Sequence, residues 1–178
     1  MDLTERKISS DLIYESNFVK ISRDKIQLPN GNNSYRIVIN HPGAVCILAT
    51  TKDNKVILVK QFRYAVGEAL LEIPAGKLDV QGEDPAKCAM RELAEETPYT
   101  AKSVTLLQTF YSAPGFCDEK MYLYQAHDVQ KNSQLKPDPD EILETILLSR
   151  EEVKNSIAQM KIKDAKTLIA LNYWLSEK

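Results

Sequence analysis

The chain is short of the residues on which several chemistries depend. It has three cysteines, two histidines and one tryptophan in 178 residues. Cys46, Cys88 and Cys117 are odd in number and widely spaced, with no CxxC pair, so a disulfide scaffold is excluded and free thiols of a reducing cytoplasm are expected. With His41 and His127 as the only histidines, a histidine-rich zinc site is excluded. Long apolar runs are also missing. The longest, residues 44–49, falls far short of the ~18–20 that a membrane span needs. The opening MDLTERKISSDL holds no apolar stretch of the secretory-leader kind. Nor does one sign of charge dominate. Twenty-three Lys and Arg against 25 Asp and Glu leave a net charge of −2, which is no electrostatic footprint for nucleic acid or an anionic membrane. A soluble, cytoplasmic chain of about one domain is expected, and any phosphate it handles must be neutralised by a few placed cations or a metal.

What is present begins with strands. Residues 18–28 and 35–39 flank the turn-forming PNGNNS and predict an antiparallel hairpin. AVCILAT and KVILVKQFRY, joined by TKDN, predict a second hairpin of buried composition. Segments 69–73, 104–111, 120–126 and 142–148 read as further strands. Three helices are marked by their caps. Asp84-Pro85 opens one with Ala86, Ala89, Met90, Leu93 and Thr97 as its packing face. Ser149 with Glu152 forms a capping box for a second, running to about Met160. Asp164 caps a third with Ala165, Leu168, Ile169 and Trp174 as its buried stripe. Strands mixed with flanking helices make the class α/β or α+β, a compact sandwich.

The chemistry concentrates in EIPAGKLDVQGEDPAKCAMRELAEETPY, residues 72–99. On the Asp84-capped helix, Glu92, Glu95 and Glu96 stand at i, i+3 and i+4, on one face opposite the Ala89 and Leu93 stripe. Like charges this close repel unless a cation neutralises them. Oxygen-only ligands suit hard divalent ions such as Mg²⁺ or Mn²⁺. The same three residues also describe a plain solvated acidic face. Arg91 stands four residues before Glu95, where it can pair with and orient it. Gly76 and Gly82 flank a tight loop just before the helix.

Gly76, Glu83, Arg91, Glu92, Glu95 and Glu96 together resemble the Nudix box, G-x5-E-x7-R-E-U-x-E-E-x-G-U. The resemblance extends over about residues 18–175. It departs from the box twice: six residues, 77–82, separate Gly76 from Glu83 instead of five, and Pro98 replaces the glycine after the helix. It implies a Nudix-type α/β/α sandwich with a mixed sheet at 41–178, preceded by an antiparallel N-terminal region at 1–40 that dimerises and contacts substrate. It further implies that Glu92 and Glu96 ligate Mg²⁺ (Mn²⁺ suits the same oxygens) with the Ala75 carbonyl. Glu95 is a further ligand or the base, Arg63 holds a phosphate, and Glu83 buttresses the loop.

Three segments resemble the ADP-ribose pyrophosphatase branch of that family. These are HPGAV at 41–45, QFRYAVGEALLEIPAG with Arg63 and Glu72, and SAPGF at 112–116, which carries Pro114, Gly115 and Phe116. Read alone, the last is simply a turn. The branch implies hydrolysis of nucleoside diphosphate sugars, ADP-ribose first, to AMP and ribose 5-phosphate, with GDP-mannose and others open. It also implies a catalytic glutamate in the acidic loop at 135–145, where Asp138, Asp140, Glu141 and Glu144 are candidates and Glu141 aligns best. A homodimer is implied, with Arg36 reaching the partner's substrate. The alternative is an inactive nucleotide-sugar sensor of the same fold, against which the intact Arg91, Glu92, Glu95 and Glu96 argue.

Overall fold

The computed structural model describes residues 1–136, 139 and 141–177. They pack as two units, Met1–Gly43 with Tyr111–Lys120, and Ala44–Phe110 with Met121–Lys178.

The first unit is an antiparallel sheet in the order β1 (Arg6–Glu15), β2 (Lys20–Gln27), β3 (Asn33–Asn40). The PNGNNS hairpin joins β2 to β3, with Gln27 facing Asn33 and Ile21 facing Ile39. β1 is an addition to the sequence reading. Its ten residues are all exposed, so no buried face leaves a period-2 apolar pattern to read. What ties it to β2 is polar. Asp24 is buried and accepts from the Ser10 hydroxyl at 2.5 Å and the Ser22 hydroxyl at 3.0 Å, with Lys7 Nζ at 3.1 Å. The Ser10 bond above all holds its carboxyl below the usual range. Segment Tyr111–Lys120 joins this unit where the Ile39 N–H donates to the Phe116 carbonyl at 2.7 Å and Asn40 donates to Asp118 at 2.7 Å.

The second unit holds the remaining elements. One sheet runs β10 (Leu143–Leu148), β5 (Val56–Arg63), β6 (Glu68–Glu72), all antiparallel. The other runs β7 (Ala75–Lys77), β4 (Ala44–Leu48), β9 (Lys120–His127), β8 (Ser103–Tyr111), with β4 parallel to β9 and antiparallel to β7. That mixed sheet is the one expected. The second predicted hairpin needs correction: β4 and β5 are joined by the tight TKDN turn but diverge into different sheets. Beyond the turn the Thr50–Val56 bridge and the Ile57 N–H to Ala49 carbonyl bond, at 2.9 Å, link their backbones.

β4 explains the layering. Every one of its residues is buried, and alternate side chains serve opposite faces. Ala44, Cys46 and Leu48 pack with Val153 of α2 (Arg150–Ala158) and with Ala170, Leu171 and Trp174 of α3 (Ala165–Ser176). Val45 and Ile47 pack with Cys88, Ala89 and Leu93 of α1 (Pro85–Glu96). Each large apolar side chain so buried contributes about 1.5–3 kcal/mol. The caps form as read: Asp84 accepts from the Ala86 N–H at 2.9 Å, and Ser149 and Glu152 complete a reciprocal box. The stripe of α3 is rotated from the expected one. Thr167, Ala170, Leu171 and Trp174 are buried, whereas Ile169 is exposed. The Thr167 hydroxyl accounts for the rotation, since it accepts from the Ile73 N–H at 2.9 Å and donates to Asp164 at 2.6 Å. Cys46, Cys88 and Cys117 are thiols outside any disulfide.

Candidate active site

Two short elements build the site. β6 ends at Glu72, Ile73 is fully buried, and the chain returns as β7 alongside α1, with Lys77 against Cys88 and Ala75 against Glu96 at the helix's last turn. The six-residue loop 77–82 closes on a turn in which the Glu83 N–H donates to the Val80 carbonyl at 3.1 Å. Gly82 takes φ +80°, a conformation open to glycine without strain. The extra loop residue is absorbed there, because Glu83 still meets Arg91.

Arg91 is the centre of an anionic cluster. Its Nε and Nη2 donate to the two Glu83 oxygens at 3.0 and 2.9 Å, and Nη1 donates to Glu95 at 2.7 Å and stands 2.8 Å from Glu92. Nη2 also lies 3.4 Å from Cys88 Sγ, whose thiol donates to the Lys77 carbonyl at 3.6 Å. Burial pushes that thiol up to about 12, so it is inert as a nucleophile. One guanidinium thus faces three carboxylates.

The acidic residues of α1 do not lie opposite its apolar stripe. Glu96 is buried, accepting from the Ala75 N–H at 3.1 Å, and the Glu92 side chain is only 13% exposed. The cause is local: α1 packs on β4 and β7, and β7 presents Gly76 to Glu92. A Cβ at Gly76 would overlap the Glu92 carboxyl group, so the absent side chain makes room for that carboxylate. Burial above all pushes Glu96 up to about 8 and Glu92 up to about 7, with the charge of Glu141 among the smaller contributions to both. Arg91 opposes the rise at Glu92, and the Ala75 N–H opposes it at Glu96.

These residues fit a divalent cation. One half-buried carboxylate, Glu92, lies at the Gly76 cradle beside a buried one, Glu96; each is held against its own charge, and all their donor atoms are hard oxygens. Among the described residues no three His, Cys, Asp or Glu side chains converge as a cage, and Glu95 is paired with Arg91 at 2.7 Å. Asp138 and Asp140 lie outside the described residues. Glu144 sits exposed on β10 opposite Lys60.

A second cluster is balanced, with Arg63 and Lys166 set against Glu72 and Asp164. Glu72, with its side chain 1% exposed, accepts from Arg63 Nε and Nη2 at 2.7 Å each and also from Lys166. Lys166 Nζ reaches Asp164 at 3.1 Å. Burial works against the Glu72 charge, and Arg63 and Lys166 outweigh it, leaving its carboxyl below the usual range. The Glu72 bonds raise Arg63, with smaller contributions from Glu96 and Asp164. Lys166 was missed in the sequence. The available signal was a cation in the first turn of a helix, the unfavourable end of the helix dipole, which calls for a partner.

The other predicted residues belong to the first unit. Arg36 donates to Glu5 and, at 3.0 Å, to its neighbour's carbonyl. Pro114, Gly115 and Phe116 form an exposed turn in which the Phe116 N–H donates to the Ala113 carbonyl at 3.1 Å. In the second unit, the groove lined by Lys52, Tyr99, Val129 and Lys131 includes no predicted site residue.

Glu92, seated at Gly76 and paired with Arg91, and the buried Glu96 together offer hard oxygen donors of the kind that hold a divalent cation in phosphoryl chemistry. The NUDIX domain family matches residues 40–171, and the chain belongs to that family. Its class is that of a NUDIX pyrophosphohydrolase. The chain is 38% identical to the ADP-ribose pyrophosphatase of Bacillus subtilis (strain 168) over 172 residues, 96% of this chain and 92% of that one. It is 40% identical to the methanol dehydrogenase activator of Bacillus methanolicus over 170 residues, 95% and 91% of the two chains. The crystal structure of an ADP compounds hydrolase shares the fold with a TM-score of 0.84, at 21% identity over 98% of this chain and 96% of that one.

Proposed function

We propose that the protein hydrolyses the pyrophosphate bond of nucleoside diphosphate sugars with Mg²⁺ as its ion, ADP-ribose being the first substrate and AMP and ribose 5-phosphate the products. The observation that carries this reading is the Glu92 and Glu96 pair, Glu92 seated at Gly76 and Glu96 buried beside Ala75, raised to about 7 and about 8. Glu92, Glu96 and the Ala75 carbonyl hold the ion. When bound, it offsets charge on the pyrophosphate and makes the attacking water more acidic; Mn²⁺ serves the same oxygens. Water adds to one phosphorus, the bridging P–O bond breaks, and a carboxylate takes the proton. Glu141 is the base in this reading, supported by its electrostatic reach to both Glu92 and Glu96 and by the tie of Glu95 to Arg91. Arg63 holds a phosphate, and Glu83 with Arg91 keeps the loop and helix in register.

Arg36, Pro114, Gly115 and Phe116 complete the substrate contacts, Arg36 from a second copy. The homodimer is supported by β1, where Ile8, Leu12, Ile13 and Tyr14 are each more than half exposed. No helix among the described residues is long and apolar enough to cross a membrane, and we place the enzyme in the cytoplasm. The likeness to a methanol dehydrogenase activator supports a second reading, in which the chain acts on a dehydrogenase partner.

The test is phosphate release, coupled to a phosphatase, with and without Mg²⁺. The panel holds ADP-ribose, GDP-mannose, UDP-glucose, NADH, diadenosine polyphosphates and nucleoside triphosphates. Metal-dependent turnover concentrated on the nucleotide sugars supports the proposal. No turnover across the panel, with ADP-ribose still bound, returns the sensor reading.

A further inference from the structure

Lys166 lies on α3, ninety-four residues from Glu72 in sequence, yet it donates to that carboxylate. Its side chain is 13% exposed, and its second anchor is Asp164 at 3.1 Å. Asp164 is itself fixed as the cap of α3, accepting from the Thr167 N–H at 2.9 Å and the Thr167 hydroxyl at 2.6 Å. The same hydroxyl accepts from the Ile73 N–H at 2.9 Å, which pins the residue after Glu72 to the helix. The Glu72 carboxylate is therefore gripped from α3 on one side while it grips Arg63 bidentately on the other.

A guanidinium has many rotamers, and its fork is directed only when its acceptor is immobile. Glu72 alone, buried and facing one cation, would be a single ion pair free to rock about its own side-chain torsions. Lys166 removes that freedom and shares the carboxylate charge, so less of the Arg63 charge is spent on Glu72. We infer that Lys166 is a positioning residue for substrate binding: through Glu72 it sets the orientation and available charge of Arg63, and so couples the docking of α3 to the grip on the pyrophosphate. This inference rests on the reading that Arg63 meets a substrate phosphate. Lys166 touches no substrate.

The test is a double-mutant cycle. Lys166→Met keeps the length of the side chain and removes the cation. It is expected to raise KM for ADP-ribose by about tenfold, with kcat changed less than about threefold. In an Arg63→Ala background the same substitution is expected to leave KM unchanged, since the residue it acts through is gone. A merely structural role would lower the melting temperature and degrade both backgrounds alike. Lys166→Gln, which keeps one donor toward Glu72, is read in the same way if Lys166→Met does not fold. An unchanged KM in the single variant, or equal effects in both backgrounds, overturns the inference. Affinity for α,β-methylene ADP-ribose, which cannot be turned over, is measured on the same proteins. Weaker binding in the Lys166 variant, lost in the Arg63→Ala background, upholds the inference even where wild-type turnover fails and the functional reading falls with it.

Discussion

Two charged clusters stand at opposite ends of the short run from Glu72 to the box helix, and they differ in charge balance. Around Arg91, one cation faces Glu83, Glu92 and Glu95. Around Glu72 the charges balance, with Arg63 and Lys166 facing Glu72 and Asp164. A fold selected only for stability has little reason for either, since buried ion pairs seldom repay their desolvation. The difference shows a division of labour. The first cluster is short of positive charge and suits an incoming cation, whereas the second is balanced and holds Arg63, its side chain 39% exposed, in a fixed position.

The comparison breaks most sharply at Glu96. Glu96→Gln is expected to lower kcat by at least about a hundredfold, while the melting temperature holds or rises, because the buried charge it deletes is disfavoured. Steady-state rates beside a thermal melt check both halves. Next comes Gly76→Ala, whose methyl group displaces the flexible Glu92 carboxyl rather than backbone. About a tenfold loss of kcat is expected, with the melting temperature within about 5 °C of wild type. Glu72→Gln addresses the other cluster. It leaves Arg63 and Lys166 facing each other without a full counter-charge, so KM rises more than kcat falls and stability drops by about 2 kcal/mol, read by urea denaturation. The smallest effect belongs to Lys163→Ala. Lys163 pairs with Glu68 at 2.7 Å, but the two side chains are 53% and 40% exposed, so the loss is under about 0.5 kcal/mol and the rate is unaltered.

Much of this was legible in the sequence because it obeys local rules. Asp84, Ser149 and Asp164 each declare a helix start through bonds spanning two or three residues. The spacing of Arg91 and Glu95 likewise declares their contact. What escaped depends on partners far along the chain. β7 is three residues long and exists by pairing with β4. β1 carries no buried face to mark it. The divergence of β4 and β5 is decided by which sheets they join, not by the turn between them. Helical spacing placed Glu92, Glu95 and Glu96 together but not on the buried flank of α1, because that depends on Gly76 and Ala75 arriving from β7. Lys166 meets Glu72 only after α3 docks.

The central claim is that Glu92 and Glu96 are buried against their charge so that a divalent cation can take the place of their protons. Both carboxyls are raised in the folded protein, to about 7 and about 8, above their value in the unfolded chain. Their contribution to stability is therefore full below the ordinary carboxylate range and lost as pH rises through those two values. The most direct measurement is the melting temperature of the ion-free protein at about pH 6 and about pH 9, each repeated with Mg²⁺. The account predicts a lower melting temperature at pH 9, a larger Mg²⁺-induced rise there than at pH 6, and loss of that rise in Glu96→Gln. An equal Mg²⁺ effect at both pH values, or one that survives Glu96→Gln, would contradict it.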